Sequence, residues 1–311
     1  MKNFIAIDIG GTQIRAASYA ENATVPLKVE RISTQGAKET PIERLVMAIR
    51  KVWPEEGRVA AIAAAAPGPV DPYQGVVIQA PNIPGWVNLP LGPHLQETFG
   101  VPVALGNDAN LAAMGEWKFG AGQGHHHLIY ITVSTGIGAG VILDDRLVLG
   151  VRGLAAELGH IVVLPDGPLC GCGHRGHLEA LASGPSIARW AKEQIEAGKA
   201  SALPADRPFS AKEVAMAAKE GDALAVAALA RAGQFLGWAI ADFLHIFNPS
   251  IVVIGGGVSQ SGPLLFEPLH SALQERILDP EYSDQLAIVP AALGDDVGLM
   301  GALALAVTTT G

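Results

Sequence analysis

FIAIDIGGTQIRAASYA, residues 4–20, is the stretch whose reading decides the fold. Two β-like apolar runs flank the turn DIGGT, so the pattern predicts a hairpin and not a strand that feeds a helix. Glycines at such a turn let the backbone reach positive φ and let N–H groups approach an anion without side-chain hindrance. The same character returns in LIYITVSTGIGAGVILDDRLVLG, residues 128–150: strand, glycine turn, strand. Two such hairpins, one near the start of each half, predict a duplicated architecture. The low-complexity break at residues 120–127 marks the expected boundary. It gives domains 1–120 and 121–311, with the last helix, about 296–311, a candidate to pack back on the N-terminal domain.

Between and beyond these hairpins, strands and helices alternate, which is the pattern of an α/β protein. PIERLVMAIRKVW has apolar residues at helical spacing, and VAAIAAAAPGPVD reads as a buried strand ending in a Pro-Gly turn. PNIPGW is a rigid loop before a helix, LGPHLQETFG. VPVALGNDANLAAMGEWKFGA gives strand, turn and helix, with Asp108 or Asn110 able to cap the helix start. Helices are expected near 180–197 and 210–248. They are followed by the strand IVVIGGGVSQ, a helix from about 262, a strand near QLAIVPA and a final helix, VGLMGALALAV. DRPFSAKEVAM reads as an inserted surface loop leading into a helix.

Composition bounds the function. A chain of 311 residues with 49% hydrophobic content can bury the cores of two domains. The net charge of −9 and isoelectric point near 5.4 oppose a nucleic-acid or anionic-membrane surface, and no long basic run is present. MKNFIAIDIGG lacks the features of a secretion signal, and the apolar segments are expected to be interrupted before they could span a bilayer, so a cytoplasmic location is expected. The two cysteines, Cys170 and Cys172, stand one residue apart, too close for an unstrained mutual disulfide.

DIGGT, STGIGAG and GGGVS each follow an apolar strand. Any one of them is consistent with a plain chain reversal; three at strand ends, in this order, implicate phosphate. No Walker sequence is present, and GIGAGVILDD continues as strand where a dinucleotide fingerprint needs a helix.

Together DIGGT, GNDAN, STGIGAG, ELGH, the CGC turn and GGGVS resemble the ROK family of repressors and sugar kinases, within the actin-like ATPase and hexokinase superfamily. The resemblance covers essentially the whole chain. It implies two ribonuclease-H-like domains with an interdomain cleft that closes on sugar and ATP. By resemblance, Asp8, Gly10, Gly11 and Thr12 face the phosphates and Mg²⁺. Thr135, Gly136 and Gly138 line the second phosphate loop, and Gly255, Gly256 and Gly257 lie beside the adenosine. The sugar's hydroxyls fall to Glu157, His160 and Glu179, with Asn107 a hydroxyl ligand as both donor and acceptor, and Gly68 and Asn82 as further pocket residues.

A sugar hydroxyl needs a carboxylate to take its proton as it meets the γ-phosphorus. Asp108, after an apolar strand at a helix start, is the expected base; the plainer reading of that residue is an N-cap. Cys170, Cys172 and His177, with His160 ten residues upstream of Cys170, supply the tetrahedral set that structural Zn²⁺ prefers. The family pattern is C-x-C-G-x-x-G-C after a histidine, and this chain departs from it at the last position, where His177 replaces cysteine. His174 as fourth ligand, or loss of the metal, are the alternatives.

Some features call for no functional role. Histidines 125–127 read as a solvated loop. Trp238 and Phe243 belong to a core helix, His245 is expected to be hydrogen-bonded in the packing, and the last helix is too short for a membrane anchor. The expected activity is an ATP-dependent hexose kinase, foremost a glucokinase making the 6-phosphate. An N-acetylglucosamine or N-acetylmannosamine kinase and a fructokinase are the alternatives within the family. The partners are a small-molecule sugar and a nucleotide, in a homo-oligomer (dimer or tetramer), with neither nucleic acid nor membrane. The family's sugar-sensing regulators carry an extra helix-turn-helix, for which a first turn at residue 8 leaves no room.

Overall fold

A computed structural model describes residues 2–36 and 38–310. In chain order the elements are β1 (Lys2–Ile9), β2 (Gln13–Ala20), β3 (Lys28–Ser33), α1 (Pro41–Val52), β4 (Arg58–Ala66), β5 (Val70–Asp71), β6 (Val76–Gln79), β7 (Val87–Leu89), α2 (Leu91–Phe99), β8 (Val103–Asn107) and α3 (Asp108–Phe119). There follow β9 (Leu128–Val133), β10 (Ile137–Leu143), β11 (Arg146–Leu147), α4 (Leu178–Ala182), α5 (Gly184–Glu196), α6 (Ala211–Lys219), α7 (Ala223–Phe247), β12 (Ile251–Gly255), α8 (Pro263–Gln274), β13 (Ala287–Pro290) and α9 (Val297–Thr308).

The duplication expected from the two hairpins is visible in the sheets. One runs β3-β2-β1-β4-β8 and the other β11-β10-β9-β12-β13, the same spatial order with hairpin strands on one side and crossover strands on the other. A small β5-β6-β7 sheet is added to the first half. The β1–β2 pair is antiparallel, with Asp8 opposite Arg15, and β1–β4 and β4–β8 are parallel, with Asp8 level with Ala65 and Ala66 level with Asn107. Parallel register therefore brings Asp8, the Pro-Gly turn after β4, and the Asn107–Asp108 pair to one carboxyl edge, where α/β sheets bind ligands. In the other sheet Gly255 is level with Thr132, so the turns after β9 and β12 share an edge in the same way.

The chain forms two compact units, and they do not follow a single cut near residue 120. One comprises Met1–His125, Gly140–Ala156 and Ala291–Gly311; the other comprises His126–Ala139 and Glu157–Pro290. Residues 121–125 and 140–156, expected in the C-terminal domain, group with the first unit, and so does the last helix, the candidate to pack back on it. Packing explains this: α9 lies on α3 through a close contact of Gly115 with Gly301, and Gly140 of β10 lies against Ala113 of α3.

The first unit's core is aliphatic, with Ile5, Ile7, Ile9, Ile14, Leu45, Ile49, Ile62, Leu95 and Leu105 all buried. α1 starts at a capping box, Thr40 with Glu43, followed by Pro41, which lacks the N–H that a first turn leaves unpaired. In the second unit the helical stretch expected near 210–248 is formed by two helices. α6 begins at the capping box of Ser210 with Glu213, and α7 restarts where Asp222 accepts from the Ala225 N–H at 2.8 Å. α7 has 25 residues and is apolar enough to cross a bilayer by length and composition, contrary to the expectation that every apolar segment is interrupted early. It is the core helix of its unit, packed on α4, α5, α6 and α8. Trp238, on its flank, stacks under Arg276 with 3.9 Å to the ring centroid, and the His245 Nε2 accepts from the Leu278 N–H at 3.0 Å.

Candidate active site

In the first unit the site begins at Asp8, the last but one residue of β1. Arg15 donates from Nη2 and Nε to the same Asp8 oxygen, Oδ2, at 2.6 and 3.1 Å. The turn that follows is closed by the Gly10 N–H donating to the Gln13 carbonyl at 2.8 Å. Thr34, completely buried, holds both ends of that turn: its hydroxyl donates to the Gly10 carbonyl at 2.6 Å and its N–H to the Thr12 carbonyl at 2.9 Å. Thr12 itself is exposed, and Gly11 packs on Asn82 so closely that an added Cβ would lie 2.6 Å from the Asn82 Cβ. The glycine turn and the PNIPGW loop are thus in contact, which no spacing in the sequence suggests.

Asn107, not Asp108 or Asn110, caps α3. Its Oδ1 accepts from the Ala109 and Asn110 N–H groups at 2.9 and 3.3 Å, and its Nδ2 donates to the Gly68 carbonyl at 2.9 Å. Two backbone donors thus occupy the amide oxygen, while an amide nitrogen carries two protons, of which the Gly68 bond uses one. Gly68 enters the site as the carbonyl that orients Asn107. The cap leaves Asp108 as the first residue of the helix, exposed, with its Oδ1 accepting from the Ala109 N–H at 2.8 Å.

Behind Asp108 on α3 lies Glu116, fully buried, a residue that sequence reasoning passed over. Its Oε2 accepts from the Ala121 and Ala292 N–H groups at 2.8 and 3.1 Å and its Oε1 from Leu293 at 2.9 Å. Three backbone donors satisfy a charge that would be costly to bury alone. The carboxylate ties α3 to the segment that leads into α9.

In the second unit Thr135 and Gly136 form the turn between β9 and β10, whereas Gly138 lies within β10. The Glu179 Oε2 accepts from the Ile137 N–H at 3.0 Å, and a Cβ on Gly136 would come within 2.6 Å of that oxygen. A side chain here would displace the carboxylate or the loop. The other Glu179 oxygen, Oε1, lies 3.5 Å from the Cys170 Sγ.

His160, Cys170, Cys172 and His177 come together as the spacing suggested, with one ligand atom from each, all within 4.8 Å of one another. Cys172 Sγ is 3.2 Å from His177 Nδ1 and Cys170 Sγ is 3.8 Å from His160 Nδ1. A tetrahedral ion with bonds of about 2.0–2.3 Å sets its ligands roughly 3.3–3.8 Å apart, so this donor set fits zinc. His174 lies outside the set; it is exposed, with its Nδ1 3.8 Å from the Cys172 Sγ. Burial pushes the Cys170 thiol up to about 11, while the His174 backbone N–H and then its ring bring Cys172 down to about 6. His160 closes a single turn of 3₁₀ helix, its N–H bonded to the Glu157 carbonyl at 3.0 Å, and the Glu157 side chain is exposed.

The same unit holds a cavity of about 660 Å³, lined among others by Ser134, Thr135, Phe209, Lys212, Met216 and Gly257. Gly255 and Gly256 do not line it: they back onto Tyr130 and Val133 and bring β12 close to β9. DRPFSAKEVAM, expected to be an inserted surface loop, supplies one wall through Phe209 and the start of α6. A mixed apolar and lysine lining of this size suits a nucleotide base and its charged tail. The histidines at 125–127 lie in a loop with His126 exposed; the His125 carbonyl accepts from Trp117 Nε1 at 2.8 Å and the His127 carbonyl from the Ser250 N–H at 3.0 Å.

A match to the ROK family spans residues 4–309. The chain belongs to the ROK family. It is 38% identical to the glucokinase of Thermotoga maritima, over 97% of this chain and 96% of that protein. Among solved ROK structures, the hexokinase of Thermus thermophilus superposes with a TM-score of 0.84 at 35% identity, covering 99% of this chain and 98% of that one. The ROK family glucokinase of Streptomyces griseus, solved in complex with glucose and AMPPNP, superposes at 0.80 with 36% identity, over 98% and 99% of the two chains. The ROK fold accounts for the paired sheets of equal strand order as the two halves of an actin-like ATPase.

Proposed function

We infer that this ROK protein is an ATP-dependent glucokinase, transferring the γ-phosphoryl of ATP to the 6-hydroxyl of glucose. The observation that carries the reading is the separation of roles at residues 107 and 108. Asn107 caps α3, which leaves the Asp108 carboxylate exposed at the carboxyl edge of the sheet, with its Oδ1 accepting from the Ala109 N–H. A carboxylate so placed acts as general base, receiving the hydroxyl proton as the oxygen meets phosphorus.

The second unit supplies positioning groups of its own. Glu157 offers an exposed carboxylate, a bidentate acceptor for paired hydroxyls. His160 turns Nδ1 to the cysteines, so its Nε2 is the nitrogen for a sugar hydroxyl. Glu179 joins the cysteine cluster to the glycine loop and so fixes the sugar ligands and the phosphate turn in one register. His160, Cys170, Cys172 and His177 would hold a zinc ion, which would supply a fixed cross-link for that loop. The Asp8 carboxylate is a hard oxygen donor of the kind Mg²⁺ takes, and the ion's chemistry is to neutralise phosphate charge. Thr135 and the walls formed by Phe209 and Met216 receive the nucleotide.

The test is a panel of hexoses and N-acetylhexosamines with ATP and Mg²⁺, reading ADP release. Glucose is expected to give the highest kcat/KM. Preference for an N-acetylhexosamine would move the assignment to an amino-sugar kinase, and release of ADP from none of them would remove the kinase reading.

A further inference from the structure

Asp8 and Arg15 face one another across the first hairpin as an antiparallel pair. This ion pair is sheltered: the Arg15 side chain is 13% exposed and that of Asp8 23%. Both bonds from the guanidinium fall on Asp8 Oδ2, at 2.6 and 3.1 Å. Arg15 is anchored a second time, Nη2 to the Asp295 carbonyl at 2.5 Å and Nη1 to Asp296 Oδ1 at 3.4 Å. From the opposite side Gly298 presses on the carboxylate; a Cβ there would sit 2.6 Å from the Asp8 Cγ.

An arginine does not deprotonate in a protein, so Asp8 carries its own permanent cation. A second cation approaching that carboxylate meets a like charge in a partly desolvated place, where a neighbour within about 4–6 Å shifts a charge equilibrium by roughly 1–3 logarithmic units. Resting on the reading of Asp8 as the carboxylate that faces Mg²⁺, we propose that Arg15 is a built-in countercharge that denies Asp8 to a free divalent cation. The metal is then admitted only with the nucleotide, whose phosphates supply the missing negative charge. The anchors on Asp295 and Asp296 hold the guanidinium in place when Asp8 turns to the incoming metal–nucleotide complex, so the countercharge is retained through the cycle. Arg15 is thus a positioning residue that makes the metal and the nucleotide arrive as one ligand.

The experiment is a Mn²⁺ titration of the nucleotide-free protein, read as free Mn²⁺ by electron paramagnetic resonance. Wild type is expected to bind Mn²⁺ weakly and D8N no differently. R15Q and R15M, the latter keeping the apolar stem, are expected to gain a site at least about tenfold tighter. That gain should vanish in R15Q/D8N, which also subtracts any Mn²⁺ taken by the cysteine cluster, and R15K should stay near wild type. Folded R15Q and R15M with wild-type Mn²⁺ affinity overturn the proposal. So does a tight wild-type site that D8N abolishes, an outcome that needs no Arg15 variant to fold. Failure of the underlying reading looks different: D8N would then keep wild-type turnover with an unchanged Mg²⁺ requirement.

Discussion

Glu179 touches two motifs that the sequence keeps more than thirty residues apart, its Oε2 taking the Ile137 N–H at 3.0 Å and its Oε1 lying 3.5 Å from the Cys170 Sγ. The glycine loop and the cysteine turn are therefore one mechanical element. Gly136→Ala places a methyl against the Glu179 oxygen, and either the loop or the carboxylate must move. A displacement near 1 Å in a positioned site costs about 100-fold in rate. Steady-state kinetics of this variant should show kcat/KM lowered by about that factor for ATP and for glucose together; a loss confined to one substrate would mean that the two motifs are not coupled.

Asn107 and Asp108 are neighbours with opposite expected phenotypes. Asp108→Asn should lower kcat by about 10²–10⁴ while leaving the melting temperature near wild type, because the base is not the cap. Asn107→Ala removes the cap and the bond to the Gly68 carbonyl, and should cost about 1–2 kcal/mol in urea unfolding. Equal loss of stability in both variants would contradict this division.

Cys172→Ser removes one thiolate from the four-ligand cluster. Metal analysis should find less zinc, and the KM for sugar should rise about 10- to 100-fold, with kcat changed less, because His160 loses the bond that orients it. A zinc-free variant with a wild-type sugar KM would separate the metal from the pocket.

Glu116→Gln keeps the shape of the side chain but turns one acceptor into a donor facing backbone N–H groups. A buried donor left unsatisfied costs about 1–3 kcal/mol, and more where a charge is involved. Chemical denaturation should show that loss, and turnover measured well below the new melting temperature should fall too, since α3 carries Asp108. Wild-type stability would mean that the three donors find other partners.

The sequence alone determined the hairpins at residues 4–20 and 128–150, the duplication and the cysteine and histidine cluster, because each depends on chemistry carried by residues close in the chain. Even the Asp8–Arg15 pairing follows from any hairpin closed on that turn. Tertiary structure decided the rest. It moved residues 140–156 to the first unit, because packing sorts segments by the faces they bury and not by their order. It gave the cap to Asn107, since Oδ1 there reaches two N–H groups only once β8 and α3 have set the angle between them. It turned the Phe209 segment into a cavity wall and Glu116 into a latch on residues 176 and 177 positions away in the chain. Hydrogen bonds to backbone N–H groups carry no residue signature, so partners of this kind become legible only when the chain has folded.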